Sequence, residues 1–163
     1  MFNKILFASD GSAESARALA LVRHLAVQDG SDVELLHVRE YRLGVGSPME
    51  RAGEDSAERE LAVREQAREL AGSGVHVEFD VTASTADALA AALAERAEAT
   101  GVDAIVVGAD LHPAYGQATG RTVTQQLVQI APCPVIVVPL RTAISHDTEA
   151  ARTAAASTER SYR

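Results

Sequence analysis

Apolar residues in this chain come in short continuous runs, separated by longer stretches with helical periodicity. The first run, residues 5–8, ends in the turn-forming Ser9-Asp10-Gly11-Ser12. Residues 14–28 follow as a helix, with Leu19, Val22, Leu25 and Ala26 at helical spacing, Ser12 or Ser15 as the cap and Gly30 as the stop. Residues 33–38, VELLHV, are long enough for a strand and too short for a helix. Residues 41–55 are polar and glycine-containing and read as a loop. Residues 56–71 read as a helix that stops at Gly72-Ser73-Gly74, and residues 75–81, VHVEFDV, alternate as a strand does. Residues 87–100 form an alanine-rich helix ended by Gly101. Residues 104–107 are a fourth strand, residues 122–131 a helix closed by Pro132, and the run from Val135 to Pro139 a fifth strand.

Continuous apolar strands alternating with amphipathic helices predict an α/β fold with a mostly parallel sheet covered on both faces. Right-handed crossovers leave few topologies, of which an open, doubly wound, Rossmann-like sheet in a single domain over residues 1–140 is the natural one. From Arg141 onward Ala, Thr, Ser and Arg dominate, so residues 141–163 read as a flexible polar, alanine-rich tail. Ligands of such sheets bind beyond the carboxyl ends of the strands, where strand order reverses. Residues 9–12 and the loop from Gly108 to Val123 would meet there.

Composition narrows the partners. A net charge of −8 argues against nucleic acid and anionic membranes, which need a clustered basic face. The single cysteine, Cys133, permits no internal disulfide, and no apolar stretch reaches membrane-spanning length. A cytoplasmic protein is the expectation.

Chemical motifs are sparse. His37 lies inside LLHV and reads as a satisfied core histidine, while His112, beside Pro113, reads as an exposed loop histidine or as one that reaches a phosphate; neither has a metal-spaced partner. Cys133 reads as a small buried hydrophobe. Residues 57–69 read as a solvated helix face with Glu60–Arg64 as an i,i+4 pair. GQATGRT has three residues between its glycines and Arg where a P-loop has Lys, so it is not a P-loop. A phosphoacceptor reading finds Asp10 and Asp80 but no Lys after the fifth strand. G-x-G-x-x-G and G-x-S-x-G do not occur. No enzyme is expected.

Three stretches, ILFASDGSAES at 5–15, DAIVVGA at 103–109 and APCPVIVVP at 131–139, resemble the universal stress protein family in order and spacing. The resemblance implies a five-stranded parallel sheet of order 3-2-1-4-5 and a homodimer formed through the strand from Val135 to Pro139. It implies a stress-response regulator whose protein targets vary. Members that bind ATP carry Gly, two residues, Gly, nine residues, then Gly-Ser or Gly-Thr. That pattern places Gly108, Leu111, Arg121 and Thr122 at its four positions, so two glycines are replaced. The site implied is Ala8, Ser9 and Asp10 with Val38 at the adenine end, and Val107, Gly108, Arg121, Thr122 and Val123 toward the phosphates. The expected protein acts through protein contacts with a degenerate nucleotide site; the alternative is a regulator that binds ATP or another adenine nucleotide with this loop. The same loop also reads as a structural connection capped by Thr119 or Thr122.

Overall fold

The computed structural model describes residues 1–44, 47–50, 54–85, 88–109 and 122–139. In chain order the elements are β1 (Lys4–Ser9), α1 (Ala13–Asp29), β2 (Asp32–Gly44), β3 (Ser47–Glu50) and α2 (Glu54–Gly72). They continue with β4 (Val77–Thr85), α3 (Leu89–Thr100), β5 (Ala104–Gly108), α4 (Val123–Ile130) and β6 (Val135–Val138). β2 pairs in parallel with β1 on one edge and β4 on the other, β1 pairs with β5, and β5 with β6. The five parallel strands therefore lie in the expected order, third-second-first-fourth-fifth. The tail after Leu140 lies outside the described residues.

Alternation along the strands divides the core. Ile5 and Phe7 of β1, with Val33 and Leu35 of β2, meet α1 and α2 through Ala18, Leu19, Val22, Val63 and Leu70. Leu6, Leu36, Ile105 and Val107 point the other way, onto Ala90, Leu93 and Ala97 of α3 and Leu127 of α4. A strand buried on both faces carries no polar alternation, which is why these runs read as continuous.

The loop predicted over residues 41–55 is corrected. β2 runs on to Gly44, and Ser47–Glu50 pairs with it antiparallel, from Tyr41↔Glu50 to Gly44↔Ser47. Tyr41 already pairs with Thr85 on the β4 side. A strand has only two edges, so β3 lies on β1's edge of β2, beyond the carboxyl end of β1. Pro48 is tolerated because β2 is the one strand partner of β3 among the described residues.

One charge lies inside this apolar framework. Glu34 of β2 is fully buried, its Oε1 bonded by Arg96 Nε of α3 and its Oε2 3.3 Å from Lys4 Nζ. Arg96 also reaches Asp80 at 2.9 Å, and Lys4 reaches Glu78 at 3.0 Å. Asp80, the second acid of the phosphoacceptor reading, is thus held in the middle of β4, opposite Leu36.

The N-terminal end of the sheet is tied by a carboxylate. The backbone N–H groups of Lys4 and Asn3 donate to Asp103 Oδ2 at 3.0 and 2.5 Å and hold its carboxyl below the usual aspartate range. A depressed folded pKa contributes stability that is full above the ordinary value of 3.8 and is lost as pH falls through the lower folded value. Asp103→Asn is therefore expected to flatten the loss of stability below about pH 4. Denaturant titrations of both proteins at pH 3 and pH 7 check this.

Candidate functional site

At the carboxyl end of β1 the chain turns sharply into α1. Asp10 Oδ1 accepts the N–H of Ser12 at 2.9 Å, and Ser12 Oγ accepts the N–H of Ser15 at 3.3 Å as the N-cap of α1. Gly11 sits in the left-handed region at φ 77°, and a Cβ there would lie 2.7 Å from the carbonyl oxygen of Arg59. The turn is thus pressed against the first turns of α2.

Buried polar groups brace this turn from below. Ser9 Oγ donates to Gln66 Oε1 at 2.6 Å and accepts the N–H of Gly11 at 3.2 Å; Gln66 Nε2 reaches Ser15 Oγ at 3.5 Å. His37 Nδ1 stands 3.0 Å from the carbonyl oxygen of Ser9. A carbonyl only accepts, so Nδ1 carries the proton. His37 is 3% exposed, the satisfied core histidine expected from its sequence setting. Cys133 is half-buried, and burial pushes its thiol pKa up, which disfavours the reactive thiolate.

Across the sheet, β5 ends at Gly108. A Cβ on Gly108 would lie 2.8 Å from the backbone carbonyl carbon of Glu14 in α1. Close approach of helix to strand therefore accounts for this glycine without a phosphate. At the start of α4, Thr122 Oγ1 accepts the N–H of Gln125 and Gln125 Oε1 accepts the N–H of Thr122, both at 3.2 Å. This reciprocal capping box takes up the amide of Thr122 and one lone pair of its hydroxyl. Val123 and Thr124 supply the remaining amides of the first turn.

These parts surround a cavity of about 430 Å³, of ligand-pocket size. It opens between β1 and β5, where strand order reverses. Of the nine predicted residues, Ala8, Ser9, Asp10, Val38, Val107, Gly108 and Val123 line it. Thr122 stands beside it as the cap, and Arg121 lies outside the described residues, as do Leu111 and His112. Leu89 and Leu93 of α3 form an apolar wall, and Glu14 and Arg59 bring charge. The sequence did not single these four out: an i,i+4 leucine pair looks the same on a core face, and Arg59 belongs to a run read as solvated. Glu60 and Arg64 of that run do form the expected ion pair at 2.7 Å. Arg59 NH1 stands 3.7 Å from Asp10 Oδ2 across the mouth of the cavity.

The register leaves part of β2 open here. Pairing with β1 ends at Ser9↔His37, and pairing with β3 begins at Tyr41↔Glu50. Between them, Val38, Arg39 and Glu40 have no strand partner on that edge among the described residues. Val38 lines the cavity. Among the described residues no group of three or more His, Cys, Asp or Glu side chains could hold a metal, and no helix is long and apolar enough to cross a membrane.

Comparison with known proteins agrees with this architecture. The model of the universal stress protein family matches residues 1–139. Universal stress protein YxiE of Bacillus subtilis is 29% identical over 150 residues, covering 85% of this chain and 99% of the relative. A universal stress protein family structure from Burkholderia pseudomallei superposes with a TM-score of 0.65 at 22% identity, covering 84% of this chain and 96% of that one. A family structure from Arabidopsis thaliana, with AMP bound, gives a TM-score of 0.59 at 19% identity, covering 88% and 94%. With its doubly wound sheet and a family match across all five parallel strands, the chain belongs to the universal stress protein family.

Proposed function

We propose that this protein is a regulator that responds to an adenine nucleotide and acts on other proteins as a homodimer, with a phosphate cradle reduced relative to ATP-binding members. The observation that carries the reading is the cavity at the switch point, with the open edge of β2 on one side and Asp10 on the other. Backbone N–H and C=O groups on such an edge suit the donor and acceptor edge of a base, and Leu89 and Leu93 suit its apolar faces. Asp10 Oδ2, with Arg59 NH1 at 3.7 Å, can accept from ribose hydroxyls, while Oδ1 is committed to Ser12. The AMP-bound Arabidopsis structure of the same fold supports this choice of ligand.

The phosphate side is sparer. The capping box accounts for Thr122 and packing on α1 for Gly108, so each has a reason independent of a triphosphate. The amides of Val123 and Thr124 at the N-terminus of α4 suit a single phosphate group. Thermal unfolding tests the reading. Tm is expected to rise steadily with AMP concentration, as it must when a ligand binds only the folded state. A Tm indifferent to millimolar AMP, ADP and ATP would contradict it.

The dimer reading rests on β6. Pro134 O accepts from Ile105 and Val138 O from Ala109, so alternate residues of β6 face β5. The N–H and C=O groups of Val135 and Val137 therefore face outward, and among the described residues no strand pairs with that edge. Val128 and Ile130 of the adjoining α4 are 57% and 50% exposed. An uncovered edge flanked by apolar side chains is stabilised by pairing with a second copy about a two-fold axis. Val137→Pro removes an outward N–H and leaves the β5 ladder intact. It is expected to convert a dimer to a folded monomer in sedimentation velocity; an unchanged dimer would place the interface elsewhere.

A further inference from the structure

We propose that Arg59 is the specificity-determining residue that lets this site prefer a nucleotide over a nucleoside, its guanidinium taking up the charge of the ligand's phosphate. The proposal rests on the adenine-nucleotide reading above and adds to it a residue of α2, an element outside the strand-end positions where the site was expected.

Three observations converge on Arg59. Its backbone is fixed at the site, because α2 approaches Gly11 so closely that a Cβ there would meet Arg59 O at 2.7 Å. Its side chain is the one basic group among the described residues that line the cavity, where Asp10 and Glu14 are both acidic. Without it, an anionic ligand would enter a mouth carrying two negative charges and no positive one from these residues. The third observation is that, among the described residues, the ion pair Arg59 makes is long. Of the arginines of α2, Arg64 and Arg68 make close ion pairs of 2.7 and 2.8 Å with Glu60 and Glu65. Arg59 stands 3.7 Å from Asp10, beyond hydrogen-bond reach, with both side chains more than half exposed. An exposed pair at that distance holds its partners weakly, so the guanidinium can turn to a phosphate at little cost. Arginine's planar fork of donors matches phosphate oxygens in two-point contact. Asp10 Oδ2 is then released to the ribose.

The test is calorimetric titration of the full chain, and of Arg59→Met and Arg59→Lys, with adenosine and with AMP at low and moderate salt. In the wild type AMP is expected to bind more tightly than adenosine, with a preference that shrinks as salt rises. Arg59→Met is expected to weaken AMP binding about tenfold or more with no comparable loss for adenosine, as loss of a charge-assisted contact would. Arg59→Lys should recover part of the AMP affinity. Equal losses for adenosine and AMP, or no loss for either, would overturn the role of Arg59 while the nucleotide reading stands. If the wild type binds neither ligand, both readings fall.

Discussion

Arg96→Met is expected to destabilise the protein by about 3 kcal/mol, the low end of the range for removing one partner of a buried ion pair. Glu34 is fully buried in the face of the sheet that meets α3, and Arg96 supplies its hydrogen-bonded partner. Removing the guanidinium leaves the carboxylate with Lys4 Nζ at 3.3 Å, where Glu34 Oε2 receives no well-aligned hydrogen bond. The contribution of Lys4 is what keeps the expected loss at the low end. The double variant Glu34→Leu/Arg96→Leu removes the buried charge together with its partner. It should recover most of the loss, since apolar replacements of a buried pair are often neutral. Urea unfolding of the single and double variants checks both expectations. A single variant as stable as the wild type would show that Lys4 alone satisfies Glu34.

Gly108→Ala is expected to cost about 1–3 kcal/mol with or without nucleotide, as overpacking between two backbones does. The new methyl would stand 2.8, 2.9 and 3.0 Å from the carbonyl carbon, Cβ and carbonyl oxygen of Glu14. Two of these are backbone atoms of α1, so the clash is relieved only by moving helix from strand. Denaturation of the nucleotide-free protein separates the two explanations of this glycine. A destabilised apo protein identifies a packing glycine. An apo protein of unchanged stability that has lost nucleotide affinity would restore backbone access to phosphate as the reason.

The parallel framework was legible in the chain because strands buried on both faces leave short apolar runs, and the intervening helices carry their own period and glycine stops. Ser12, Gly30 and Gly101 bound their helices where expected, the two glycines in the left-handed conformation. The β2–β3 hairpin was not legible as such. Gly44, Gly46 and Pro48 signal a loop locally, and only the alternation of Tyr41, Arg42 and Leu43 hints that the strand continues. At the site, residues adjoining strand ends could be named from chain order alone. Arg59 could not, because its place depends on how closely α2 approaches Gly11, a distance no local pattern encodes. Gly108 shows the opposite difficulty: the residue was singled out, and the structure supplies a packing reason for it that spacing alone does not reveal.

The proposed ligand, an adenine nucleotide, would occupy the mouth of the sheet between Val38, Asp10 and the start of α4. Isothermal titration of the purified protein with AMP tests that most directly. Saturable one-site heat that is weakened by Asp10→Ala, in a variant that still unfolds cooperatively, is the predicted result. Absence of heat with AMP, ADP and ATP at millimolar concentration, across more than one temperature, would contradict it.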